Sequence, residues 1–99
     1  MKKHYAIYLI APRPTFAQDM TPEERGIMQQ HVLYFRDLMN KGLVLVYGPV
    51  LDPAGVYGLG VVRVDDEAQL NDLIANDPAN GLNRYECYPM RAVYPGSTP

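Results

Sequence analysis

The stretch TPEERGIMQQHVLYFRDLMNKG, residues 21–42, reads as one long amphipathic helix, and the rest of the chain has to be arranged around it. Thr21 stands at the cap, Pro22 at the first helical position and Glu24 three residues after the cap, so side-chain oxygens meet the N–H groups that a first turn leaves unpaired. Gly42 supplies the stop. At about 100° per residue, Met28, Val32, Phe35, Leu38 and Met39 share one stripe, and His31 lies just inside its edge, flanked by Ile27 and Tyr34. A histidine there points towards the core. It is either a structural ring satisfied by a carbonyl or a tyrosine, or a pocket side chain whose imidazole suits acid/base work near neutrality.

Residues 5–10 (YAIYLI) and 43–47 (LVLVY) are apolar at both alternating sets of positions, the pattern of strands buried on two faces. Residues 57–64 (YGLGVVRV) resume after a turn over 48–55 and pair with the second of these as a hairpin. Gly58 and Gly60 fall on one face of it, as a bulge, a tight packing spot or a place where a ligand comes close. A second helix is expected over 66–76, with Asp65, Asp66 and Glu67 at its positive end as capping groups and not as a metal site. Leu70, Leu73 and Ile74 form its apolar stripe and Pro78 prevents its continuation. Asp77 is thereby held just past a helix end, either capping its own turn or serving as a functional carboxylate. Residues 84–93 (RYECYPMRAV) alternate as a last strand in which Pro89 marks an edge or a bulge, and a tail runs from 94.

The order is β-α-β-β-α-β, an α+β ferredoxin-like arrangement with a four-stranded antiparallel sheet and both helices on one face. Three strands are apolar on both faces, and no third helix exists to cover the second. A partner subunit packed sheet on sheet is the simplest cover, so a homodimer is expected.

With 99 residues the chain is read as one domain spanning 1–99. A formal charge of −2 gives no sign of a nucleic-acid or anionic-membrane partner. RNA-recognition modules share the topology, and YGLGVV superficially matches their central motif, but Val56 and Leu59 stand where a basic residue and a stacking aromatic are required. The single cysteine, Cys87, rules out an intrachain disulfide and a zinc site built on cysteine pairs, and it fits a reducing cytoplasm. Met-Lys-Lys is followed by a short apolar run that carries two tyrosines and ends at Pro-Arg-Pro, which reads as a strand and not as a leader. No run approaches the ~18 to 20 apolar residues of a membrane span. A haem or metal would have to rest on His31, since the only other histidine is His4 at the expected frayed terminus.

The loop over residues 11–20, APRPTFAQDM, follows the first strand and carries Arg13, either a solvated loop charge or a guanidinium fork for a carboxylate or phosphate. Taken together, His31 in HVLYFRDLMNKG, the run from Gly42-Leu43-Val44 to Gly48-Pro49, Asp52 and Gly55 after it, and Asp77-Pro78 followed by Gly81-Leu82 resemble the YCII-related (YciI-like) family over nearly the whole chain. The resemblance implies a ferredoxin-like dimeric α/β barrel and an enzyme, with a histidine and an aspartate as the functional pair, which fall on His31 and Asp77. Where the family has a bulky aromatic after Asp-Pro this chain has Ala79, so one pocket wall is expected to be missing or supplied elsewhere. The Pro-rich loop is the chain's own and leaves the substrate open.

A His/Asp pair with no metal motif, dinucleotide fingerprint or P-loop beside it is equipped for moving protons. The leading reading is a cofactor-independent lyase or isomerase acting on a small polar metabolite, aromatic-derived or lactone-like. His31 is then the general base or acid, Asp77 fixes its tautomer and stabilises the imidazolium, and Tyr8, Tyr47 or Arg13 orients the small-molecule ligand. The topology gathers Arg13, Asp52 and Asp77 at one end of the sheet, whereas His31 lies about 15 Å down its helix, so Asp52 competes with Asp77 for the nearer place. The alternative is a non-catalytic metabolite-binding or dimeric interaction domain. A proton-transfer activity separates the two.

Overall fold

In the computed structural model, which describes residues 1–97, the capping chemistry read at Thr21 is present. The Thr21 hydroxyl accepts from the Glu24 N–H, the Glu24 carboxylate accepts from the Thr21 N–H, and helix α2 runs from there as Pro22–Asn40. Gly42, with φ of 82°, then turns the chain through a conformation that a β-carbon disfavours. Strand β1 (Lys3–Ile10) precedes α2, and strands β2 (Val44–Val50) and β3 (Tyr57–Val64), helix α3 (Glu67–Ala75) and strand β4 (Arg84–Met90) follow it.

The strand order is β2-β3-β1-β4 with every pairing antiparallel, so the α+β ferredoxin-like arrangement is the observed one. β1 and β3 are central. Their inward residues, Tyr5, Ile7 and Leu9 with Val62 and Val64, join Phe35 and Leu38 of α2 and Leu70 and Leu73 of α3 in one core on the helical face. Burying a side chain of this size is worth roughly 1.5–3 kcal/mol, and that contact, more than helix propensity, holds both helices to the sheet.

Several element boundaries differ from the sequence reading, each for a local reason. The first loop contains a one-turn helix, α1 (Phe16–Asp19), because the Thr15 hydroxyl donates to Asp19 and the Asp19 N–H closes back on the Thr15 carbonyl. β2 continues through Gly48-Pro49 to Val50, since an edge strand tolerates a proline whose missing N–H faces outward. β4 stops at Met90, whose partner is His4, because β1 has almost no residues left to pair with 91–93. His4 is itself inside β1, its ring 5.5 Å from that of Tyr94. Of the expected tail, residues 94–97 form a turn closed by Ser97 on Tyr94, and residues 98–99 lie outside the described residues.

The two helices differ greatly in length, and that difference sets the site. α2, with 19 residues, rises about 28 Å, whereas α3, with 9, rises only about 13 Å and ends roughly halfway up the sheet. The segment from Asp77 to Asn83 climbs the remainder as an irregular turn, with Gly81 at φ 99°.

Candidate functional site

Because α3 stops short, Asp77 emerges beside the middle of α2, level with His31. The His31 Nδ1 lies 2.8 Å from Asp77 Oδ2 and 3.0 Å from Oδ1. Asp52, the competing carboxylate, stays in the β2–β3 turn and accepts the Ala54 N–H at 2.9 Å. The end-of-sheet placement for Asp77 fails on helix length alone.

The Asp77 side chain is 0% exposed, and a buried carboxylate must be met by donors. Three converge on it: the Ala79 N–H on Oδ1 at 2.9 Å, the Tyr85 O–H on Oδ2 at 2.7 Å, and the His31 ring. Asp77 therefore caps its own turn and holds the histidine as well. An ionised carboxylate only accepts, so the proton between the two residues sits on Nδ1. In the neutral ring Nε2 then carries a free lone pair. Nε2 makes no hydrogen bond among the described residues and is not shut off from the surface, because His31 lines a cleft.

The surroundings keep the carboxylate's donors in place. Burial first, and then the bond to Asp77, push the Tyr85 hydroxyl well above the usual tyrosine range, so it stays a donor. Burial and, after it, the Asp77 charge likewise raise Tyr34, whose hydroxyl donates to the Leu73 carbonyl at 2.6 Å and ties α2 to α3 one turn before Asp77. Phe35 packs on the histidine at 4.7 Å between ring centroids.

The cleft, about 620 Å³, lies between α2 and the β2–β3 half of the sheet. Gly58 and Gly60 form part of its floor, where Leu9 and Phe35 pack too close for any side chain: a β-carbon at Gly60 would lie 3.2 Å from the Phe35 ring, and one at Gly58 would lie 2.9 Å from the Leu9 Cβ. Its walls are mainly apolar, with Met28, Val32, Phe35 and Met39 from α2 and Phe16 and Met20 from the first loop. Lining residues with polar side chains are few: His31, Arg36, Asn83, Tyr47 and Tyr57. Ala79 is fully buried and adds no wall; Phe16, Phe35 and Tyr47 supply aromatic surface instead.

The remaining expected site residues are dispersed. Tyr47 lines the cleft, but its hydroxyl donates to the Val32 carbonyl at 3.1 Å. Tyr8 is on the opposite face of the sheet, stacked on Tyr57 at 5.7 Å and edge-on to Tyr88 at 5.8 Å, because strand alternation sends it away from Leu9 and Ile7. Arg13 is a loop clamp: its Nε donates to Asp19, and Nη1 and Nη2 donate to the two oxygens of Glu24. With Nη2 also donating to the Asp19 carbonyl, both paired edges of the guanidinium are engaged within the loop and the first turn of α2. The loop itself does border the cleft, through Ala11, Phe16, Ala17 and Met20.

Sequence reasoning missed Tyr85, Asn83 and Arg36. Alternation puts Tyr85 on the inner face of β4, opposite Leu9, but carries no sign that its hydroxyl reaches Asp77.

The family model for the YCII-related domain matches residues 5–93. No curated protein matches this sequence. Among solved structures the fold is similar to that of the uncharacterized protein TM1266 from Thermotoga maritima, with a TM-score of 0.52 and 11% identity over 92% of this chain and 100% of that one. At that identity the likeness speaks for the fold.

Proposed function

The chain belongs to the YCII-related domain family, and from that premise we propose that its cleft is the active site of a cofactor-independent lyase or isomerase in which His31 moves a proton. The observation that carries this is the His31–Asp77 pair, with Nδ1 held by a buried carboxylate and Nε2 open to the cleft. In the neutral ring Nε2 takes a proton from a carbon or hydroxyl of the substrate, and the imidazolium so formed faces the Asp77 carboxylate through Nδ1–H. The same Nε2–H returns the proton to a second atom, for isomerisation, or to a leaving group, for elimination. Such transfer supplies typically ~10²- to 10⁴-fold in rate, and positioning in the cleft supplies the rest. The mainly apolar walls favour the aromatic-derived or lactone-like members of the small polar metabolites expected from sequence.

The test is a paired measurement on His31→Ala and His31→Gln, thermal unfolding beside solvent-deuterium incorporation into a panel of lactones and β-keto acids. Turnover is expected to fall by at least ~10²-fold in both variants. Strong destabilisation with exchange retained in the surviving fold would end the catalytic reading in favour of a binding domain.

The reading includes a homodimer. The helix-free face of the sheet carries Ala6, Tyr8 and Ile10 of β1 and Leu59 and Val61 of β3, and Val46, Tyr88 and Met90 there are 57%, 53% and 42% exposed. A second copy packed on this face would remove these apolar side chains from water together. Light scattering that gives 11.1 kDa at micromolar concentration would refute it. Among the described residues no helix is long and apolar enough to cross a membrane. A cytoplasmic setting, which the free thiol of Cys87 fits, is part of the same proposal.

A further inference from the structure

One buried polar atom at the cleft has no partner for its chemistry. Asn83 is 8% exposed, at the head of β4, and it lines the cleft. Among the described residues its Nδ2 donates only to the Met28 thioether, at 3.3 Å, a weak acceptor. Its Oδ1 is buried and meets no donor, the single such side-chain atom among the described residues. The opposite assignment of the amide is worse, because it sets the oxygen against the sulfur and leaves the two N–H donors unmet. The backbone keeps the residue in place: the Asn83 N–H donates to the Ala79 carbonyl at 3.1 Å, and the Ala79 N–H in the same turn holds Asp77. Met28 precedes His31 by three residues on α2, so the thioether that holds the Asn83 amide lies one helical turn from the base.

A buried acceptor without a donor is unfavourable by about 1–3 kcal/mol, roughly 5- to 150-fold in an equilibrium constant, and a ligand that brings the donor recovers it. The terminal amide torsion is broad, so Oδ1 can turn towards a group in the cleft without leaving a rotamer well. We propose that Asn83 is the recognition residue of this cleft and that it selects an apolar, ring-bearing ligand with a hydroxyl donor, a phenol or an enol, placed beside His31. This deepens the proton-transfer reading and rests on it, because the hydroxyl that Asn83 receives sits next to the atom from which His31 takes its proton. A site built on such an acceptor rejects the analogue that lacks the donor far better than an apolar wall rejects an extra methyl.

The test needs no turnover. Phenol and anisole, alike in ring and differing in the O–H, are titrated into the full-length ¹⁵N-labelled protein, and the Asn83 side-chain amide and His31 ring resonances are followed. Phenol is expected to bind at least about fivefold more tightly than anisole, and Asn83→Leu to bring the ratio close to one; Asn83→Ala serves if Leu does not fold. A wild-type ratio near one, a ratio that survives removal of the amide, or phenol binding that leaves the Asn83 resonances unmoved would each overturn the proposal. Because binding preference is read without catalysis, its failure is distinct from failure of the acid/base reading, which the His31 variants decide.

Discussion

Asp77→Asn is the change that most directly interrogates the geometry, because it replaces one carboxylate oxygen by an NH₂ group and should reverse a tautomer. The fixed partner is the Ala79 N–H, a backbone donor that cannot turn away, so the oxygen of the substituted amide has to occupy the Oδ1 position, where it continues to accept that bond. The amide nitrogen then falls at the Oδ2 position, facing the Tyr85 hydroxyl and His31 Nδ1. Tyr85 can rotate its O–H and accept instead. The imidazole can accept from an N–H only by giving up its Nδ1 proton, which moves to Nε2. The nitrogen facing the cleft would change from acceptor to donor.

Loss of a positioned base is worth ~10²- to 10⁴-fold, and the corresponding swap in a Ser-His-Asp triad lies near the upper figure, so a fall of ~10³-fold or more in turnover is expected. Stability should fall as well, since bonds to a charged acceptor become bonds to a neutral one, by about 1–3 kcal/mol or roughly 4–8 °C in Tm per kcal/mol for a domain of this size. Long-range ¹⁵N correlation spectra of the imidazole rings read the tautomer directly, with His4 as an internal control. A protonated Nδ1 and a bare Nε2 in the variant, or turnover within tenfold of wild type, would refute the reasoning.

Two further outcomes test the frame around the site. Arg13 and the Thr21 N–H hold the Glu24 carboxyl down to about 2 from 4.5, so its contribution to stability is present above pH 4.5 and is lost as pH falls from there through about 2. Acid unfolding followed by circular dichroism should show that loss in the wild type and a flatter profile in Glu24→Gln; matching profiles would mean that the clamp contributes nothing. Gly60→Ala places a β-carbon 3.2 Å from the Phe35 ring at the cleft floor, where overpacking typically costs about 1–3 kcal/mol. Chemical denaturation that gives unchanged stability would show that Phe35 can move aside, and the cleft wall with it.

The elements were legible where local chemistry decides them. Thr21, Pro22, Glu24 and Gly42 bounded α2 to within two residues, and Asp66 and Pro78 bounded α3 as closely, because caps and breakers act over one turn. The order of the elements, β-α-β-β-α-β, also set the fold class. Boundaries went astray where pairing decides them: β2 outran its turn-like Gly-Pro because β3 was there to pair with, and β4 ended early because β1 was not. The roles offered for Arg13 and Tyr8 rested on residue type, and their neighbours took them. Asp19 and Glu24 engage the guanidinium, and alternation turns Tyr8 to the other face.

The meeting of His31 and Asp77 lies between these cases. Each residue was visible, and the distance that seemed to separate them came from assuming that both helices span the sheet. The caps already said otherwise: from Asp66 to Pro78 there is room for barely three turns, against more than five in α2. Two antiparallel helices on one face, one half the length of the other, bring the end of the short one to the middle of the long one, and His31 is at the middle. That comparison depends on topology, so it becomes available only after the strand order is known. Nothing comparable could reveal Tyr85 or Asn83, because alternation assigns a side chain to a face and is silent about what its far end touches. The carboxylate that holds the base was therefore within reach of arithmetic on helix lengths, and the groups that serve that carboxylate and line the cleft beside it were not.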